Sequence, residues 1–294
     1  MFFSRVKNTG SRFFFMSSML LIGIINIGLM PGSHALISDY SLFTLLGVAG
    51  AIFANSTGAG GGVVFIPMFN YLEFSEAQSI ATSFGIQSFG MTAGAITWGL
   101  YYYKKGATAC SSVAREPLVP IILPTAFMSI VGVWTVYGFD LSSPANLRDL
   151  FKTFSLLLGV MILIMAFFFR QESTRTQLFN KDYVALVLIG YFGGMITAWL
   201  SVGVGEILVV YLILNRFNVT MSVAAGVIVS ALTVWAGVVE HFLLSDYASK
   251  EVVLFAGMGA VLGGMLAKHL VLWFSPFRLK VFFALCILVL AILS

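Results

Sequence analysis

The sequence predicts an all-α integral membrane protein built from two inverted repeats, each a broken or re-entrant helical hairpin followed by three transmembrane helices, with an extra N-terminal apolar segment. Three observations lead there. Of the 294 residues 59% are hydrophobic and 10% charged, with a mean hydropathy of +0.98, values that belong to a chain whose solvent is lipid. Apolar runs of about twenty residues recur along its length, and two of them are too long and carry a glycine cluster at their middle. The Lys and Arg fall into short loops between the runs in a strongly one-sided way.

The apolar runs lie at 13–29, 42–72, 77–101, 118–138, 150–169, 183–214, 222–244, 252–273 and 278–293. A helix of thirty residues is about 45 Å long against a hydrocarbon core of about 30 Å, so 42–72 and 183–214 are read as half-helices joined by a break. The breaks are "NSTGAGGG" at Asn55 to Gly62 and "SVGVGE" at Ser201 to Glu206. If both broken segments crossed the membrane, Lys and Arg would divide nine to seven between the faces. With both turning back, Arg5, Lys7, Arg12, Lys104, Lys105, Arg115, Arg170, Arg175, Lys181, Arg216, Lys268, Arg278 and Lys280 share one face. Only Arg148, Lys152 and Lys250 lie on the other. The second arrangement satisfies the positive-inside rule, and the loop at 170–182 becomes cytoplasmic.

One hairpin plus three spans is an odd number of crossings, so the second unit enters from the opposite face. The expected organisation is a first segment over 1–41, a first repeat over 42–169, the polar loop over 170–182 and a second repeat over 183–294. A shift of 144 residues puts Gly61 on Gly205, Val64 on Leu208 and Ala81 on Ala225. Two readings of the first segment stand: a cleavable signal peptide ending near Ser33 to Ala35, or an uncleaved helix.

"GAGGGVVFIP" from Gly58, followed by "AQSIATS" from Ala77, resembles the first repeat of the TauE/SafE (sulfite exporter) membrane family. "GMGAVLGGMLAKHL" from Gly257 resembles that family's carboxy-terminal pattern. The resemblance covers most of the chain after about residue 40. It implies a plasma (inner) membrane transporter that exports or takes up sulfite or a related sulfur-containing anion such as a sulfonate. Where the family has a second glycine cluster ending in glycine and a later proline, this chain has Glu206 and Tyr211.

Non-helical backbone at membrane depth is tolerated where it is buried in protein or lines a cavity, and half-helix starts there expose N–H groups and the positive end of a dipole. The expected substrate-binding residues are therefore Ser56, Thr57, Gly58, Gly60, Gly61 and Gly62 from the first break. Ser201, Gly203 and Gly205 come from the second, and Ser83 and Gln87 from the span that follows the first break. The alternative for the glycines is close helix packing, which is the preferred reading for Gly257, Gly259, Gly263 and Gly264. Glu206 is a candidate for proton coupling or, equally, a first-turn cap of its half-helix. Ser230 and Thr233 are expected to bond their own helix carbonyls, and Glu240 with His241 to form an interfacial pair. No catalytic constellation, metal spacing, cofactor motif or nucleic-acid patch is found, and Cys110 and Cys286 have no disulfide or zinc pattern. The expected partners are the anion, the bilayer and protons, and nothing in the sequence specifies oligomeric state. A passive anion channel of similar architecture is the alternative function.

Overall fold

The protein is described from a computed structural model covering residues 33–108, 116–144, 146–168 and 175–293, together with Ser18. The apolar run at 13–29 and its signal-like features lie outside the described residues. The described residues form ten helices: α1 Ser33–Thr57, α2 Gly62–Tyr71, α3 Glu76–Thr108, α4 Leu118–Gly138, α5 Leu147–Phe168, α6 Asn180–Leu200, α7 Val204–Leu214, α8 Val219–Val239, α9 Lys250–Trp273 and α10 Pro276–Leu293. A π-helical turn, Glu240–Leu244, extends α8. Five helical segments, in α1, α4, α6, α8 with its extension, and α9, are long and apolar enough to cross a membrane, and the chain is an all-α integral membrane protein.

Both over-long runs are broken at their glycine clusters, between Thr57 and Gly62 and between Leu200 and Val204. The arms are unequal, which departs from the expected pair of half-helices. α1 has 25 residues and α6 has 21, whereas α2 has 10 and α7 has 11. By hydropathy the first over-long run starts at residue 42, because Ser38, Asp39 and Ser41 interrupt it. Those side chains need only an exposed position, so the helix continues back to Ser33.

Contacts set the relative directions of the helices that frame the breaks. α1 and α9 run together: Thr44 meets Gly259, Val48 meets Gly263 and Ser56 meets Ala267. α3 runs the same way, with Gly90 against Ala51 and Ala260, Gly94 against Asn55, and Ser249 N–H donating to Thr82 Oγ1. A second parallel group holds α4, α6 and α8: Thr125 meets Gly190, Ser129 meets Gly194 and Thr233, and Tyr137 meets Ala198 and His241. The groups oppose one another across α3 and α8, where Phe84 touches Gly237 and His241 while Thr92 accepts a bond from Trp235.

The short arms turn back. Gly61 N–H bonds Gln87, eleven residues into α3 and so about 16 Å from its start, a distance that the ten residues of α2 retrace at 1.5 Å each. Gly205 lies similarly against Gly226 and Ser230 of α8. Exchanging α1 to α5 with α6 to α10 therefore maps contacts onto contacts while reversing helix direction, which is the relation between inverted repeats. Glu73 (φ 60°) and Arg216 (φ 62°) repeat a left-handed residue three positions before α3 and α8.

The α1–α9 seam depends on glycine. A Cβ on Gly47, Gly259 or Gly263 would lie 1.9, 2.0 or 2.3 Å from a carbonyl oxygen of the facing helix, a backbone contact that no rotamer change relieves. Gly263→Val is expected to lower stability by about 3 kcal/mol, the upper end of overpacking costs. Gly99→Ala, where nothing lies within 4 Å of the added methyl, is expected to be neutral or stabilising. Thermal denaturation of the purified variants in detergent checks both.

Candidate functional site

The two breaks meet. Gly60 and Gly62 lie against Ser201 and Val202, Gly61 lies against Gln87, and Gly205 lies against Gly58, with the two breaks almost entirely buried. Gly58 (φ 79°) and Gly203 (φ 149°) take backbone conformations that side chains disfavour. A Cβ on Gly205 would lie 2.2 Å from the Gly58 carbonyl oxygen. The break glycines thus do what was expected of packing glycines as well: they bring two backbones into contact at the junction of the repeats.

Four N–H groups at the half-helix starts already have acceptors, which in part corrects the expectation that these starts expose unpaired donors. Gly60 N–H donates to Glu206 Oε1 at 2.8 Å, Gly203 N–H to Glu206 Oε2 at 2.8 Å, Gly61 N–H to Gln87 Oε1 at 2.7 Å and Val204 N–H to Thr197 Oγ1 at 3.0 Å. Each such donor left bare in a buried site would cost about 1–3 kcal/mol, so the chain supplies acceptors of its own.

Gln87 and Glu206 each join both breaks. The Gln87 amide nitrogen lies 2.7 Å from Ser201 Oγ, 3.1 Å from the Ser201 carbonyl and 3.0 Å from Ser83 Oγ, and Ser201 Oγ donates to Ser83 Oγ at 2.9 Å. Since Gln87 Oε1 accepts from Gly61, the amide orientation follows from the network. Glu206 is the first-turn cap of α7 through Gly203, and the same carboxylate crosses to the first repeat through Gly60. It is 3% exposed.

Of the predicted residues, Ser83, Gln87, Ser201, Glu206, Gly60, Gly61 and Gly203 form one hydrogen-bonded cluster, with Gly58, Gly62 and Gly205 packed around it. Ser56 and Thr57 are engaged elsewhere: Ser56 donates to the Ala267 carbonyl, and Thr57 bonds Phe53 and Ala54 and accepts from Ala59 N–H. Thr233 bonds the Val229 carbonyl as expected, but it also shares a 2.6 Å bond with Ser129. Ser230 Oγ is buried beside Gly205 and has no partner, contrary to expectation.

Several participants were not singled out by sequence. Thr197 sits one turn before the second break. The Asn55 carbonyl, orphaned at the end of α1, accepts from Trp98 Nε1 at 3.1 Å. Tyr137 hydroxyl lies 3.2 Å from the Ala198 carbonyl and 3.0 Å from His241 Nε2. His241 pairs with Tyr137 and packs at a tilt against the Phe84 ring instead of pairing with Glu240. These partners are remote in sequence, and only Asn55 and Thr197 carried a cue, as polar residues beside a break.

An open cleft of about 430 Å³ extends to the last turn of α6, just short of the second break. Its walls include Glu76, Tyr137, Asp140, Glu240, His241 and Tyr247, with Ala198 and Trp199 of α6. A smaller adjoining recess is lined by Arg148, Trp199 and Leu200. At the other end of the hairpin Arg175 pairs with Asp182 and bonds Asn215, and Tyr211 hydroxyl donates to Asp182 at 2.7 Å. The Arg175 guanidinium also lies over the rings of Phe179 and Phe217, at 4.6 and 4.9 Å. That clamp ties the start of α6 to the end of α7.

Gln87→Leu strands Gly61 N–H and removes a donor from Ser201, so it is expected to cost about 2–4 kcal/mol for two orphaned groups. Ser83→Ala removes one acceptor and is expected to cost about 1 kcal/mol. Melting temperatures should rank the wild type above Ser83→Ala and both well above Gln87→Leu. Neither a curated protein nor a solved structure matches the chain. Residues 42–294 match the family described as Sulfite exporter TauE/SafE; the hairpins, their glycine breaks and all ten helices but the first turns of α1 lie within that span, and the chain belongs to this family of membrane transporters.

Proposed function

We propose that the protein is a secondary transporter that carries sulfite or a related sulfur-containing anion, including sulfonates, across the plasma (inner) membrane by alternating access. The observation that carries the reading is the meeting of two oppositely directed half-helix starts, α2 and α7, at one buried polar cluster. Two positive dipole ends with backbone N–H donors and the hydroxyls of Ser83 and Ser201 suit an oxyanion, and glycine lets it approach the backbone. The family membership supports the sulfur-anion class.

The asymmetry of the two faces supports alternating access. A cleft runs to the last turn of α6 beside the second hairpin tip, whereas the first hairpin tip is met by the buried Trp98. In this reading residues 42–169 and 183–294 are the repeats that rock against one another, 170–182 is their cytoplasmic linker, and 1–41 stands outside the transport unit. Substrate-binding roles go to Ser83, Gln87, Ser201 and the backbone of Gly60, Gly61 and Gly203. Ser56, Thr57, Gly58, Gly62 and Gly205 shape the breaks.

Sulfite flux into liposomes containing the purified protein tests the proposal. The expected result is saturable uptake, competed by a sulfonate or thiosulfate and accelerated by sulfite on the opposite side. Flux that is linear in concentration and indifferent to sulfite on the far side would establish a channel instead. Folded protein with no flux above empty liposomes would remove the sulfur-anion assignment.

A further inference from the structure

We propose that Glu206 is a built-in occupant of the anion site: its carboxylate holds the place of the transported anion between the two breaks, and gives it up by taking a proton when that anion binds. The inference rests on the reading of the breaks as the substrate site. Each carboxylate oxygen accepts a backbone N–H from a different repeat, Gly60 on one side and Gly203 on the other, both at 2.8 Å. This is the contact an oxyanion would make with the same donors.

Two like charges cannot share that space in a medium of low dielectric. A protonated Glu206 removes the conflict. A bound monoanion plus a neutral carboxylic acid leaves the site with the same net charge as the empty site with its carboxylate, and the new O–H becomes a donor to the incoming oxyanion. The Ser230 hydroxyl points to a ligand independently. It is 3% exposed and unpartnered, and a Cβ on Gly205 would lie 2.1 Å from it and 2.2 Å from the Gly58 carbonyl, so it stands over the seam between the breaks.

The surroundings favour protons over a second fixed countercharge. The side chains brought to the cluster by α3 and α8, namely Ser83, Gln87 and Ser230, are uncharged, and the buried Lys268 of α9, beside the Ala267 that Ser56 contacts, lies over the Tyr101 ring at 5.8 Å. On the open side the cleft carries Glu76, Asp140 and Glu240 with His241 and Tyr137, while Arg148 lines the adjoining recess. On α6 and α7 themselves, Asp182 and Tyr211 are already joined to Arg175 or to each other. An acidic cleft draws protons toward the second break and opposes entry of a bare anion, so anion and proton travel together.

Sulfite binding to purified wild type and Glu206→Gln across a pH series tests this, because the ligand's own titration is common to both proteins. The expected ratio of wild-type to variant Kd grows with pH, approaching the tenfold per pH unit of one linked proton, with the variant binding more tightly at high pH. Parallel pH profiles, or weaker binding by the variant at every pH, would overturn the proposal. If neither protein binds sulfite, the sulfur-anion assignment fails separately, and the ligand-free protein decides the role of Glu206. The labelling rate of a Ser201→Cys thiol in a background lacking Cys110 and Cys286, normalised to its thiolate fraction, should rise as pH falls while Glu206 is present, and be higher and level with pH in Glu206→Gln. Unchanged labelling in both comparisons sinks the inference.

Discussion

Everything at the centre of this protein follows from one constraint: a helix broken inside a membrane must find partners for the backbone groups it frees. The ends of α1 and α6 free carbonyls, and the starts of α2 and α7 free N–H groups. The carbonyls of Asn55, Ala198 and Ser201 are met by Trp98, Tyr137 and Gln87. The N–H groups of Gly60, Gly61, Gly203 and Val204 are met by Glu206, Gln87, Glu206 and Thr197. Two of these side chains serve both breaks at once, so satisfying the backbone and joining the repeats are the same event. A site made this way has donors that a ligand can borrow only if a side chain lets go.

Glycine is required here for geometry more than for flexibility. Gly58 and Gly203 need their positive φ, and Gly205 permits the contact with the Gly58 carbonyl. Along α1 and α9 the role of glycine is different, since Gly47, Gly259 and Gly263 set how closely two uninterrupted helices approach. The first group positions the chemistry. The second fixes the frame on which α1 delivers the break to its depth.

The architecture was legible because its signals are local: run length, a glycine cluster within a run, and the side on which Lys and Arg fall. Hydropathy missed the first turns of α1, because Asp39 and its serine neighbours read as a loop although an exposed helix face accepts them. The cluster itself was legible only in part. Gln87 was recognisable as a costly side chain near mid-span, and Glu206 as an acid just after a break. Their partners were not, since Gln87 finds Ser201 114 residues away and Glu206 finds Gly60 146 residues away. The expectation of open N–H groups failed at these four positions because it left out the side chains around each break: Gln87, Glu206 and Thr197 meet Gly61, Gly203 and Val204 within their own repeats, and Glu206 crosses to Gly60 of the other.

The inverted relation also explains why the two faces differ. α3 and α8 begin 143 residues apart, at Glu76 and Val219, and the same interval separates Asn55 from Ala198 and Trp98 from His241. The residues at these equivalent positions do equivalent work by different means. Trp98 bonds the Asn55 carbonyl directly and is fully buried. His241 reaches the Ala198 carbonyl only through Tyr137, and all three line the cleft. A buried indole meets one hairpin tip directly, while a two-residue relay that lines the cleft meets the other. Under the proposed alternating access, exchange of these arrangements between the repeats would close the cleft over Ala198 and open a counterpart beside Asn55. That proposal puts the first effect of a change of accessible face at the freed carbonyls of the hairpin tips, one short step along the chain from the cluster that Glu206 and Gln87 hold together.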